Sequence, residues 1–144
     1  MIFTYNVKYS KPNMETSFKD FYTNLFHISG RMSRAAFWWA YLDVFIIVFI
    51  IDFFINLTDL KNVTSGMAYF VELFLSLIVF ILGIGVITAT CRRLHDTNKS
   101  AWWFWLHLIP FAGSIALLVL CAMPTINTDN RFGQPDVAFL NKLE

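Results

Sequence analysis

Three stretches of nearly unbroken apolar residues run through the chain, at about residues 37–57, 67–89 and 101–123. A bilayer core takes about 20 apolar residues in a helix, and each stretch meets that length. They are too long for ordinary buried strands. The pattern ahead of them is different. Met14, Phe18, Phe21, Tyr22, Leu25 and Phe26 recur at steps of four, three or one, with Glu15, Lys19, Asp20, Thr23 and Asn24 between them. That spacing makes a single apolar helix face. Asn13 can cap its start and Gly30 can stop it. A helix over 13–29 is therefore predicted, lying on the inner leaflet with its aromatic face down. The expected fold is an all-α integral membrane protein, three transmembrane helices preceded by a short amphipathic interfacial helix. These form one membrane domain over 13–136, between a polar N-terminal segment, 1–12, and a C-terminal tail, 137–144.

Composition supports lipid as the solvent. The chain is 57% hydrophobic and 15% charged, against about 45–50% and about 25% in a typical soluble domain. The net charge of +1 says nothing about nucleic acid, but no lysine-arginine block is long enough to track a phosphate backbone, so no nucleic-acid partner is expected. The two cysteines, Cys91 and Cys121, belong to no CxxC or Cys/His cluster, so neither a metal site nor a cofactor is expected. The first 36 residues are polar, without an early apolar run, and do not read as a signal peptide. The first apolar helix is then its own insertion signal.

Lysines and arginines set the orientation. With three spans, Lys8, Lys11, Lys19, Arg31 and Arg34 share one side with Arg92, Arg93 and Lys99. Lys61, Arg131 and Lys142 fall on the other. The N-terminus is expected in the cytoplasm and the C-terminus outside. Trp38, Trp39, Trp102, Trp103 and Trp105 all fall at the same interface, where an amphipathic ring suits the headgroup layer. Ser100 is the expected N-cap of the third span. Cys91 and Cys121 would sit at opposite faces, too far apart for a disulfide.

Ionisable groups in hydrocarbon normally face protein or water. Asp43, Asp52, Glu72 and His107 qualify. Asp43 and His107 lie at similar depth from the cytoplasmic end, so they would meet if the first and third spans are neighbours. Pro110 lacks a backbone donor and should break or kink the third helix, with Gly113 three residues on. A re-entrant hairpin is the alternative there, but each arm would rise only about 15 Å, half the core. A full span is the expectation.

Ordered motifs flank the spans: Gly30-Arg31 with Arg34, Phe37 and Trp38; Arg92-Arg93-Leu94-His95-Asp96 followed by Ser100, Ala101, Trp102 and Trp103; Leu108-Ile109-Pro110 with Gly113; and Asn130-Arg131-Phe132-Gly133 ahead of Pro135. Over about residues 20 to 136 the chain resembles the small bacterial inner-membrane proteins called domain of unknown function 805. The tail departs from that family's usual Gly-Pro-Asp-Pro, reading Gly133-Gln134-Pro135-Asp136. The resemblance implies location and architecture rather than chemistry.

Function is less sharply marked. His95 beside Asp96 suggests a membrane-bound enzyme, but helical neighbours point about 100° apart and no nucleophile or phosphate motif accompanies them. No catalytic residue is expected. The leading expectation is a membrane-embedded interaction or scaffold protein, associated with the envelope, whose Arg31, Arg34, Arg92, Arg93 and Lys99 form a basic inner-leaflet patch for anionic lipid headgroups. Its partners would be the bilayer, a second copy or another membrane protein. The alternative is a small oligomeric transporter, channel or ion-flux regulator using Asp43, Glu72 and His107.

Overall fold

The structure, a computed structural model, describes residues 13–57, 66–126 and 130–132. Its regular elements are helical: α1 (Met14–Thr23), α2 (Arg34–Leu57), α3 (Gly66–Asp96), a 3-10 helix (Ala101–Leu108) and α4 (Ala112–Ala122). The segments 1–12 and 137–144 lie outside the described residues.

Helix α1 begins where its sequence says, with Asn13 Oδ1 accepting from Thr16 N–H at 2.8 Å. It ends six residues earlier than expected. Asn24 turns its side-chain amide onto Asp20 O and Asp20 Oδ1, at 3.0 and 2.9 Å, and Thr23 Oγ1 donates to Lys19 O at 2.6 Å. Such short polar side chains compete with the backbone for the last carbonyls. Gly30 is therefore not the stop; with φ 96° it makes the bend into α2. The aromatic face of α1 is divided, with Phe21 turned onto protein and Met14, Tyr22 and Phe26 left exposed. Phe21 is 1% exposed and packs against Gly85 of α3. A Cβ at Gly85 would lie 2.8 Å from the Phe21 ring and 2.3 Å from Leu25, so glycine there lets the two elements close. Burying a Phe side chain contributes about 1.5–3 kcal/mol to holding this ten-residue helix against α3.

With 24 and 31 residues, α2 and α3 are about 36 and 46 Å long, beyond the roughly 30 Å hydrocarbon core. Only 11% of the most apolar stretch of each is buried against protein, so these are not core helices of a soluble domain. Phe45, Phe49, Phe53, Phe70, Phe74 and Phe80 point outward. The small Ala36 and Ala40 of α2 are buried beside Phe37, Val44 and, from α3, Leu82 and Ala89, the kind of packing that lets helices approach in lipid. Helix α3 runs on through the Arg-Arg-Leu-His-Asp motif. It stops in a Schellman turn, with Lys99 N–H on Leu94 O and Asn98 N–H on His95 O, both at 2.9 Å, and Asn98 left-handed at φ 57°.

The expected third span is the main correction. Residues 101–123 are not one helix. Ser100 caps a 3-10 helix of eight residues, accepting from Trp102 N–H. The chain then reverses at Pro110. Ala112 N–H bonds Pro110 O at 2.6 Å around Phe111, whose φ and ψ are 57° and −64°. That is the γ-turn of positive φ, the strained form. Helix α4 has eleven residues, about 16 Å, and cannot cross a bilayer. It doubles back on the 3-10 helix, so that Gly113 sits against the Leu106 carbonyl. Ile126 N–H, beyond its end, bonds Asp96 O at 3.1 Å. The two ends of the hairpin therefore meet on one side.

Candidate functional site

The Schellman turn and the hairpin bring three of the four motifs, those of Gly30-Arg31, Arg92 to Asp96 and Asn130 to Phe132, to the end of α3, while Leu108-Ile109-Pro110 forms the far tip of the hairpin. At their centre is Asp96. Its Oδ1 accepts from Arg31 Nε at 3.0 Å and pairs with Arg31 Nη2 at 2.9 Å. Its Oδ2 accepts from Thr125 Oγ1 at 2.6 Å and from Arg93 Nη1. All three charged side chains are at least 97% buried. Two guanidinium groups on one carboxylate leave a surplus positive charge, and backbone carbonyls answer it. Arg31 Nη2 donates to Ile126 O at 2.8 Å. Arg93 donates to Met32 O at 3.3 Å, to Cys121 O at 2.8 Å and to Met123 O. The last two are carbonyls at the C-terminal end of α4, where a helix has unsatisfied acceptors and a cation is favoured.

The tail motif closes over this knot. Asn130 Nδ2 donates to His95 O at 3.0 Å and to Ile126 O at 3.1 Å. Phe132 stacks on the His95 ring, centroids 3.9 Å apart, and the Arg131 guanidinium lies 4.8 Å from the centroid of the same Phe132 ring. His95 Nδ1 is 3.2 Å from Gly30 O. A carbonyl only accepts, so Nδ1 carries the proton. Gly133 lies outside the described residues.

Beside the knot, Arg92 Nη1 pairs with Asp20 Oδ2 at 3.2 Å, which ties α1 to α3. Its Nε and Nη2 are buried without a hydrogen-bond partner among the described residues. Arg31, Arg92 and Arg93 are thus interior groups, and the expected basic surface patch does not form from them. Arg34 stays exposed, with Arg131 exposed and Lys99 half-buried near Trp103. Sequence reasoning missed Asp20 and Thr125 as partners. Asp20 read as one of several polar residues on the outer face of α1, and Thr125 carries no local signal.

The intramembrane polar residues are not assembled into a line. Asp43 does not meet His107. Its Oδ2 accepts from Tyr22 Oη at 2.6 Å, whereas His107 Nδ1 lies 3.3 Å from Ser114 Oγ across the hairpin. Asp52 and Glu72 bond neither of these nor each other among the described residues. Cys91 and Cys121 are free and buried. They are not on opposite faces, since the Cys121 carbonyl is held by Arg93.

Burial, then the bond to the Asp43 carboxylate and its charge, pushes the Tyr22 phenol up to about 12. The protonated phenol is what α1 offers to Asp43. That contribution is whole below pH 10, the ordinary tyrosine value, and is lost as pH rises through the raised one. Ultraviolet titration should show one phenol ionising near pH 12 that Tyr22→Phe removes. A missing phenol that ionises near pH 10 would contradict the contact.

The model of the family described as "Protein of unknown function (DUF805)" matches residues 25–134. The inner membrane protein YhaI of Escherichia coli K12 is 31% identical over 110 residues, 76% of this chain and 86% of YhaI. The inner membrane protein YhaH of the same strain is 51% identical over 45 residues, 31% of this chain. That match spans only 36% of YhaH. No solved structure matches.

Proposed function

We infer, from the premise that this chain belongs to the DUF805 family, that it is a non-catalytic interaction protein of the bacterial inner membrane. One observation carries the reading: His95 and Asp96, the two motif groups that could work as acid or base, are already engaged within the fold. Asp96 is saturated by two arginines and a threonine, and the His95 ring is covered by Phe132 with Nδ1 on Gly30. A general base needs reach to a substrate proton, and neither group has it. What the knot achieves is placement. It pins both ends of the hairpin to α3, so Trp102, Trp105 and Phe111 project from one leaflet at 76%, 56% and 87% exposure. A rigid aromatic wedge at half-membrane depth fits a helix of another membrane protein or of a second copy.

Orientation supports the cytoplasmic leaflet. With a hairpin in place of a third span, Lys61 is the only one of the eleven lysines and arginines between the two spanning helices. Exposed Arg34 and Arg131 are then left for anionic headgroups. The test is a photoreactive amino acid placed in cells at Trp105 or Phe111, with Phe74 on the lipid face of α3 as control. Discrete protein adducts from the hairpin, absent at Phe74, are expected. Lipid adducts alone at all three positions would overturn the reading.

A further inference from the structure

Between α2, α3 and the hairpin lies a cleft that the knot does not use. Its volume is about 360 Å³, inside the roughly 300–1,000 Å³ range of small-molecule sites. Phe37, Tyr41, Phe104 and Leu117 supply apolar walls, and His107 and Ser114 converge on it from the two arms of the hairpin. None of its lining residues carries a fixed charge, which argues against an ionic ligand. His107 Nδ1 is engaged by Ser114 Oγ, and the ring stacks along Phe104 with centroids 6.1 Å apart. Its Nε2 has no partner among the described residues. A polar nitrogen without a partner is costly in hydrocarbon.

Depth selects the ligand. Six residues of 3-10 helix carry His107 about 12 Å from Ala101. The ester carbonyls of a glycerolipid stay at the edge of the hydrocarbon core, too shallow for this nitrogen. A carbonyl on a molecule dissolved in the hydrocarbon reaches it. We propose that the cleft binds a lipid-soluble quinone, its ring between the aromatic walls and one carbonyl at the His107–Ser114 pair. The assignment concerns binding alone and stands independently of the interaction reading above.

Decylubiquinone titrated into the full chain in nanodiscs tests it, read by quenching of the tryptophans at the hairpin. A saturable component above the linear collisional one is expected. His107→Phe should weaken it at least tenfold, while Phe74→Ala, on the lipid face, keeps it. Both variants should melt like the parent, because neither side chain is buried. Linear quenching alone in the parent protein, or an unchanged saturable component in His107→Phe, would overturn the proposal. So would equal displacement by dioleoylglycerol, which would assign the cleft to glycerolipids.

Discussion

Asp96→Ala should all but abolish accumulation of the folded protein in the membrane. The substitution removes one small carboxylate, but it strands Arg31 and Arg93, whose side chains are 1% and 0% exposed. Removing one partner of a buried ion pair typically costs about 3–5 kcal/mol, because the remaining charge is left without compensation. Here two charges are left. The whole stability of a domain is about 5–15 kcal/mol, so little would remain. Thr125 Oγ1 also loses its acceptor. Asp96→Asn keeps the shape and two of the hydrogen bonds, so it should fall between parent and Ala. The thermal midpoint in detergent, with the level of protein in isolated membranes, checks the series. A parent-like midpoint for Asp96→Ala would mean that the knot is not what holds the fold.

Gly113→Ala is expected to open the hairpin. A Cβ at Gly113 would stand 1.8 Å from the Leu106 carbonyl oxygen and 2.8 Å from its carbon. Both are backbone atoms, which cannot rotate aside. Overpacking ordinarily costs about 1–3 kcal/mol, and a clash with backbone should reach the upper end. The arm already holds Phe111 in a strained γ-turn, a local cost of about 1–3 kcal/mol that the close packing of the two arms must offset. Moving α4 outward would also draw Cys121 O and Met123 O away from Arg93. A lowered thermal midpoint is expected, together with faster amide exchange along 112–122. Unchanged exchange there would show that the arms do not need to touch.

The sequence announced local features well. Asn13 caps α1 as expected, Ser100 caps the element that starts at Ala101, though this is a short 3-10 helix and not a third span, the first two spans are helices of spanning length, and Pro110 is a break. It did not announce which way the chain goes after the break. A run of 23 apolar residues looks the same whether it crosses lipid or turns within it, because both arms meet hydrocarbon. What decides is tertiary: Gly113 against a carbonyl in the other arm, and Arg93 on the last carbonyls of α4. Neither leaves a periodic trace. One clue was present. Counting two spans instead of three moves Arg131 and Lys142 to the side of the other basic residues, which sharpens the asymmetry.

The motif charges were misread for a related reason. Near a membrane, arginines read as headgroup ligands. Burial of Arg31 and Arg93 depends on the carboxylate of Asp96, whose contact with Arg31 crosses 65 positions. The stack of Phe132 on His95 also joins residues far apart in sequence. The docking of α1 on α3 is likewise absent from its own spacing, which shows a single apolar face but not what Phe21 packs against. The glycine that receives Phe21 lies two elements away, at Gly85.

The central claim is that the chain crosses the membrane twice and turns back, so that the Arg-Arg-Leu-His-Asp and Asn-Arg-Phe motifs share one side. Cysteine accessibility measures this directly. In a background lacking Cys91 and Cys121, single cysteines would be placed at Lys99 and, separately, at Arg131, and intact cells treated with a membrane-impermeant thiol reagent. Protection of both positions until the cells are opened is the expected result. Labelling of Arg131→Cys in intact cells, with Lys99→Cys protected, would put the tail across the membrane and contradict the hairpin.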